Sequence, residues 1–333
     1  MAEWLYEAGI GEARAALVER GDIVEMAVER DNERGPRAGA IVTARLTRKA
    51  DASGRGLVTL ADGATAQLTP VPAGLTEGSA LLVEISREAL PEGTGVKPPR
   101  ARIAPHGARP AAGPDLLARI TASGVSVRHI SRGPDLLEQN GWSEALEEAA
   151  SGIVARPQAM LRISLTPAMT LIDVDGAGSA ADLAIAGARL AGETIRRFAI
   201  AGSIGIDLPT LTGKAERQAA AAALDAVLPQ PFERTGVNGF GFLQIVRRKV
   251  RPSLPDRLAA DPLLAAALAL LRQAERATGH GALTIQAHPA VIARIESRQD
   301  WLDMLTTRIG ATVGLREDAR LAISGGHASR SQS

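Results

Sequence analysis

The chain has 333 residues, a formal net charge of +1 and no cysteine. Its 45% apolar residues are enough for the cores of about two domains. The absence of cysteine excludes disulfides, cysteine-ligated zinc and thiol catalysis, and it favours an intracellular protein. No apolar segment approaches the about 20 residues that span a bilayer, and the N-terminus lacks a signal-peptide pattern. We therefore expect a cytoplasmic protein that does not bind a membrane.

The N-terminal third of the chain has a β pattern. Residues 13–85 contain short β-rich segments separated by glycine-rich turns, which predicts a small barrel or sandwich. Residues 91–114 are rich in proline, glycine and arginine, which indicates a linker.

Helical and strand patterns alternate further along the chain. A hairpin is predicted over 160–165 and 169–175, followed by an alanine-rich helix capped by Ser179 and a strand at 203–207. The fold class is thus β followed by α/β. The predicted units are an OB-fold-like β domain (1–105), a linker (106–114), an α/β domain with a parallel βαβ core (115–260), a small α+β domain (261–324) and a disordered tail (325–333).

Three aspartates stand at the ends of two predicted strands. Asp173 and Asp175 alternate along the first strand and therefore share a face, and Asp207 ends the next strand. A right-handed βαβ crossover brings both strand ends to one edge of the sheet. Carboxylates so close repel each other unless a cation lies between them, and Mg²⁺ takes one or two carboxylates with several waters. The spacing predicts a divalent-metal site whose remaining ligands are substrate phosphate oxygens.

Two other interpretations of this region remain open. Asp173 and Asp175 can simply end a strand and face water. Residues 176–181 (GAGSAA) also fit the glycine-rich fingerprint of dinucleotide-binding folds, which would indicate an oxidoreductase. That fold has an apolar strand before the glycines and an acidic residue about 20 positions later, whereas here two aspartates precede the loop and Asp207 comes later. The dinucleotide interpretation is the more distant one.

Several motifs in the same order resemble the ribonuclease E/G endoribonucleases. These are residues 171–176 (LIDVDG), 195–196 (IR) and 201–207 (AGSIGID), followed by 240–254 (FGFLQIVRRKVRPSL). The last segment is similar to the family's Phe-Gly-Leu strand, basic run and Ser-Leu pair. Residues 271–323 are similar to its small C-terminal domain, and the N-terminal β region looks like a reduced form of its OB-fold RNA-binding domain.

The resemblance implies a reaction and a set of site residues. Asp173 and Asp207 would be the catalytic ligands of Mg²⁺, or of Mn²⁺ in its place, and Asp175 would be a further metal ligand where the family usually carries Asn. The implied reaction is metal-dependent hydrolysis of single-stranded RNA to products with a 5′-phosphate, in RNA processing or decay. The alternative is an RNA-binding relative with weakened catalysis.

The chain also departs from the family pattern. It is too short for the RNase-H-like subdomain and the 5′-end sensor, so we expect no preference for 5′-monophosphorylated RNA. The cysteine pair after the Ser-Leu motif is absent, so no zinc is expected, and a homodimer would form without the zinc link. The oligomeric state therefore stays open.

The expected RNA contacts are ionic. No aromatic residue lies between Tyr6 and Trp142, so the β domain cannot stack bases and would bind through Arg45, Arg48 and Lys49. The basic run is expected either to hold phosphates or to form a solvated face; its cations are Arg247, Arg248, Lys249 and Arg251. Phe240 and Phe242 alternate in a predicted strand, a pattern typical of core residues, and are assigned no role.

Overall fold

The computed structural model describes residues 2–31, 35–92, 95–131 and 133–330. The strands are β1 Glu3–Ala8, β2 Glu12–Glu19, β3 Asp22–Arg30, β4 Ile41–Arg48, β5 Gly56–Leu60, β6 Thr65–Leu68, β7 Ala80–Arg87, β8 Leu90–Glu92, β9 Gly95–Lys97, β10 Arg100–Ile103, β11 Val127–His129, β12 Ile153–Ala155, β13 Met160–Leu165, β14 Thr170–Asp175, β15 Gly202–Asp207, β16 Glu233–Arg234, β17 Phe242–Arg247, β18 Leu283–Ala287, β19 Val313–Glu317 and β20 His327–Arg330.

The helices are α1 Leu116–Thr121, α2 Leu136–Gln139, α3 Trp142–Ser151, α4 Ala180–Arg197, α5 Lys214–Asp225, α6 Leu254–Ala260, α7 Pro262–Arg276, α8 Pro289–Glu296 and α9 Gln299–Ile309. The chain is therefore a mixed α/β protein, as the sequence predicts. Across the described ranges, no helix combines the length and the apolar content that crossing a bilayer requires.

Five strands form a closed barrel in the order β10-β6-β5-β4-β7, a size consistent with the OB fold. Alternate side chains along the strands point inward, so that Leu46, Val58, Leu68 and Val83 are fully buried. The sequence predicts strands at 40–46, 56–60, 66–68 and 80–85, and each overlaps a barrel strand. The linker predicted over 91–114 is wrong in its first part, because β9 and β10 form there and β10 pairs within the barrel. Residues 104–115, which follow β10, contain no helix or strand.

The first three strands lie outside the barrel, which differs from the predicted single β domain of residues 1–105. They form a separate four-stranded sheet in the order β11-β1-β2-β3, in which β11 pairs with β1 in parallel. The reason is that this sheet is apolar on both faces. Trp4 and Leu17 pack against α1, whereas Leu5 and Ala16 belong to the core of the α/β unit. Residues 3–30 therefore fold with the α/β unit.

A six-stranded sheet in the order β12-β13-β14-β15-β17-β16 forms the centre of the molecule. The antiparallel hairpin of β13 and β14 agrees with the prediction, and so does the parallel pairing of β14 and β15 on either side of α4. Ser179 caps α4 by accepting a hydrogen bond from the Asp182 N–H. This βαβ unit brings the ends of β14 and β15 to the same edge of the sheet.

Only one face of this sheet is covered by helices. Side chains such as Ile172 and Ile206 point into a core shared with α4, which also packs against β3 of the N-terminal sheet. The alternate side chains along β14, from Leu171 to Asp175, are exposed. The opposite face of the central sheet is therefore open over these strands.

The C-terminal unit packs α7, α8 and α9 around a three-stranded sheet in the order β19-β18-β20. Here the structure differs from the predicted disordered tail, because His327–Arg330 pair with β18 in antiparallel orientation. Ala328 packs against the local apolar core, which provides the reason for order. The sequence pattern also predicts a strand at 320–323, but these residues form a turn. Residues 331–333 of the predicted tail lie outside the described residues.

Candidate functional site

Asp173 and Asp207 are direct neighbours on adjacent parallel strands. The register of β14 and β15 pairs Ile172 with Ile206 and Asp173 with Asp207. Because both isoleucines point into the core, both aspartates point to the open face, where their side chains are exposed. The structure thus brings these two predicted site residues together near the carboxyl ends of their strands.

An apolar surface borders this acid pair. Phe242 on β17 lies opposite Asp207, and its ring leans across β15 toward Leu171 on β14. Glycine at position 205 makes this possible, since a β-carbon there would come within 2.5 Å of Phe242 Cζ and 3.0 Å of Leu171 Cδ2. Leu171 is itself 37% exposed. The carboxylates therefore lie next to a partly exposed hydrophobic surface formed by Phe242 and Leu171.

Asp175 lies on the same face but already has a partner. Its Oδ2 accepts a hydrogen bond from Arg162 Nε at 3.2 Å, and both side chains are about half exposed. Arg162 stands on β13 directly opposite Asp173. The sequence analysis does not identify Arg162 as a site residue. Pairing the two strands of the predicted hairpin residue by residue would have placed it beside Asp173.

The donor set suits a hard divalent cation that keeps most of its waters. Within the described segments, no three His, Cys, Asp or Glu residues converge into a complete protein ligand set. Two exposed carboxylates on neighbouring strands match the one or two that Mg²⁺ usually takes, and the open face leaves room for water and phosphate oxygens. The pair fits Mg²⁺ or Mn²⁺, whereas a structural zinc site would need four closed ligands.

The basic run lies at the other end of the sheet from the acid pair. Strand β17 is antiparallel to β15, so Arg247 stands opposite Gly202 whereas Phe242 stands opposite Asp207. Five residues of strand separate the two ends, or about 17 Å. Phe242, Gln244 and Val246 follow one another on the exposed side of β17 between them.

Three cations of the run are engaged within the protein. Arg247 donates to the Ile200 carbonyl oxygen at 3.0 Å, Lys249 Nζ lies 2.6 Å from Asp256, and Arg251 Nε lies 3.3 Å from Glu88. Arg248 is exposed and forms no ion pair within the part of the chain that the structure describes. Among the four predicted phosphate ligands, Arg248 is therefore the residue whose charged group is exposed and is not paired within the described part of the chain.

The predicted contacts on the barrel lie on a different unit from the acid pair. Arg45 is exposed on β4, and its Nη1 donates to the Gly78 carbonyl oxygen at 2.5 Å. Lys49 is exposed just after β4, where its backbone N–H bonds to Glu77. Both cations are accessible on the barrel surface, as an ionic RNA contact would require.

Phe240 occupies an unexpected position. The sequence pattern predicts a strand over 237–246 with both phenylalanines in the core, but β17 begins only at Phe242. Phe240 lies in the preceding turn and is 84% exposed. The glycines at 239 and 241 were the signal for this turn, since they flank Phe240 and favour irregular backbone.

The glycine-rich segment 176–181 connects β14 to α4, but its geometry does not favour a pyrophosphate. Ser179 Oγ both caps α4 and donates to Asp182 Oδ2 at 2.6 Å, so a carboxylate of the chain already occupies the first turn. Asp173 and Asp175 add negative charge just before the loop. Anion binding at this helix N-terminus would therefore meet electrostatic repulsion.

No protein-family model matches the chain, and a search of curated proteins finds no significant match.

Proposed function

We propose that the chain is a Mg²⁺-dependent endoribonuclease of the ribonuclease E/G type, which hydrolyses single-stranded RNA to products with a 5′-phosphate. The observation that carries the proposal is the in-register pair of Asp173 and Asp207, exposed at the carboxyl ends of parallel strands. Open α/β sheets form their sites at this edge. Both acids belong to one chain, so the reaction does not require a dimer.

Asp173 and Asp207 would hold the metal, and Mn²⁺ could take the place of Mg²⁺. When bound, the ion would activate water and stabilise the charge that develops on the phosphodiester. We leave Asp175 outside the ligand pair, because its carboxylate is engaged with Arg162. Arg162 contacts Asp175 through Nε, and the terminal nitrogens of this half-exposed guanidinium would attract a phosphate group toward the acids.

The open sheet face supports an extended single strand as the substrate. RNA that reaches from the acid pair to Arg248 follows the exposed side of β17 over about 17 Å. Arg45 and Lys49 on the barrel supply further ionic contact. A nucleotide in a closed cavity is disfavoured, because the acids stand on an exposed surface.

Replacement of either paired aspartate tests the proposal. We expect Asp173→Asn and Asp207→Asn each to lower the rate of Mg²⁺-dependent cleavage of labelled single-stranded RNA at least about 100-fold, because each removes a charged metal ligand. Asp175→Asn should lose at most about fivefold, since an exposed ion pair is worth about 1 kcal/mol or less. Cleavage is followed by gel electrophoresis with Mg²⁺, with Mn²⁺ and with a chelator.

Glu296→Gln is a matched control, because it neutralises an exposed carboxylate on α8 of the C-terminal unit. Full cleavage by the variants of the acid pair would refute the proposed site. Binding of RNA by the wild-type chain without any cleavage would favour the alternative, an RNA-binding relative with weakened catalysis. Binding of a dinucleotide without binding of RNA would exclude both.

A further inference from the structure

Phe240 lies in a turn fixed by hydrogen bonds, although its ring faces solvent. Asn238 Oδ1 accepts hydrogen bonds from the backbone N–H groups of Phe240 at 2.9 Å and Phe242 at 3.0 Å. Gly241 has φ +91°, and a β-carbon there would lie 2.1 Å from the Leu208 carbonyl oxygen. The turn therefore requires glycine at 241 and presents an 84% exposed phenylalanine in a defined position.

This turn is attached directly to the acid pair. The Leu208 N–H donates to the Gly241 carbonyl oxygen at 3.2 Å, and Leu208 follows Asp207 in the chain. Phe242, which closes the turn, lies opposite Asp207 on the open face. The two phenylalanines thus stand beside the strand end that carries Asp207.

The remaining aromatic residues cannot offer an equivalent surface. Trp4, Trp142, Trp301 and Phe198 are buried. Phe232 is partly buried against the main core, and Tyr6 is partly buried in the N-terminal sheet, where it packs against a second core. The barrel sequence contains no aromatic residue, because none lies between Tyr6 and Trp142. A base that stacks on this protein next to the acids would therefore stack on the turn that presents Phe240.

We propose that Phe240, together with Phe242, forms a base-stacking platform that holds one nucleobase of single-stranded RNA beside Asp207. The platform would fix which phosphodiester reaches the acid pair, without reading the base sequence, because every base has a π-face. This inference rests on the proposed function. A nucleobase is the occupant that the surroundings favour, since the acid pair lies between the platform on one side and the cation Arg162 on the other, so that a base stacked on the platform places its phosphate beside the acids.

Fluorescence of a Phe240→Trp variant tests the platform. The three native tryptophans are 6%, 0% and 1% exposed, so the new indole is the accessible one. We expect a short oligoadenylate in a metal-free, chelator-containing buffer to quench its emission, and an abasic oligonucleotide of the same length to leave it unchanged. Ile185→Trp is the matched control, because Ile185 is 37% exposed on α4, behind the covered face of the sheet. Its emission should not respond to either probe.

Affinity measurements on two further variants complete the test. Phe240→Ala should weaken oligoadenylate binding about tenfold, whereas Phe240→Tyr should retain it, since stacking needs an aromatic ring. Circular dichroism and the unfolding midpoint verify that both variants fold. Wild-type affinity in Phe240→Ala, or an unquenched Phe240→Trp in the presence of bound RNA, would overturn the platform. Loss of self-association in Phe240→Ala, without any change in RNA affinity, would assign the surface to a second copy of the chain.

The platform and the proposed function fail in distinguishable ways. If RNA is cleaved at the acid pair but Phe240→Trp is not quenched, the nuclease proposal stands and the platform falls. If oligoadenylate quenches Phe240→Trp but no metal supports cleavage, the platform stands and the nuclease proposal falls. If RNA neither binds nor is cleaved, both fall.

Discussion

Neighbouring cations in the run 247–251 have different roles. Burial lowers the pKa of Arg247, whose guanidinium bonds to a backbone carbonyl. Burial, and next the charge of Arg119, lower the pKa of Arg251 despite its contact with Glu88. These groups stabilise the fold, whereas Arg248 projects into solvent. Exposure, and not place in the run, is therefore what distinguishes Arg248 as the cation that we propose to contact RNA.

Arg248→Ala should weaken binding of single-stranded RNA and reduce its salt dependence. Loss of one phosphate contact lowers the slope of log affinity against log salt by about 0.7 for a single strand. Fluorescence anisotropy of labelled RNA at several salt concentrations measures this slope. Arg247→Ala should instead lower the free energy of unfolding, because it removes a hydrogen bond of a largely buried group. An unchanged slope in Arg248→Ala would contradict the assignment.

At the scale of elements, the packing of α4 against β14 positions the first acid of the pair. Gly187 on α4 faces Val174, the residue after Asp173, and a β-carbon at 187 would lie 2.2 Å from Val174 Cγ1. The helix can approach the strand this closely only because position 187 has no side chain. The backbone of β14, and with it the position of Asp173, depends on this contact.

Gly187→Ala should therefore destabilise the protein. Alanine has a helix propensity about 1 kcal/mol more favourable than that of glycine, but its β-carbon would clash with Val174, and such overpacking costs about 1–3 kcal/mol. We expect a net loss on the order of 1 kcal/mol in the free energy of unfolding, measured by urea denaturation. Ile185→Ala, on the exposed side of α4, should change it by no more than about 0.5 kcal/mol. A more stable Gly187→Ala would show that the helix can shift at no cost.

At the scale of the whole molecule, a cluster of ion pairs joins three parts of the chain. Arg14 on β2 and Arg276 on α7 both contact Glu7 on β1, and Arg14 also lies 3.3 Å from Asp135, the N-cap of α2. Arg14 is 2% exposed and stacks over the buried ring of Trp142 at 5.4 Å. The N-terminal sheet, the α/β unit and the C-terminal unit are thus linked by buried charge.

The cluster should make stability depend on pH through Asp135. Burial acts to raise the pKa of Asp135, but Arg14, the Glu138 N–H and Arg276 together outweigh it and hold the pKa below its ordinary value. The ionised carboxylate therefore stabilises the fold fully above the unfolded pKa of about 3.9, and this contribution is lost as the pH falls through the lower folded pKa.

Asp135→Asn should remove this part of the pH dependence. It should also lower the free energy of unfolding at neutral pH by on the order of 1 kcal/mol, because Arg14 loses a charged partner. Asparagine still caps α2, so Asp135→Ala should cost about 1 kcal/mol more. Urea unfolding between about pH 3 and pH 7 measures both effects, and the difference between wild type and Asp135→Asn should shrink in acid. A constant difference across that range would contradict the role of the charge.

Local patterns in the sequence determined much of the architecture. Two-residue periodicity and turn residues predicted the barrel strands, and the cap at Ser179 with the spacing of Asp173 and Asp207 predicted the βαβ unit and its adjacent acids. The strands and the cap depend on residues that are close in the sequence. The adjacency of the acids depends on the single β14–α4–β15 crossover, and such crossovers are nearly always right-handed. The nuclease function inferred from the resemblance stays a prediction.

Only the tertiary structure decided which distant segments meet, and in which direction. It paired β1 with β11, ordered β20 against β18, and made β17 antiparallel to β15, so the basic run lies away from the acids. It also turned Phe240 outward beside Asp207. The physical reason is that strand partners and directions follow from the burial of long-range apolar surface, which a local residue pattern does not encode.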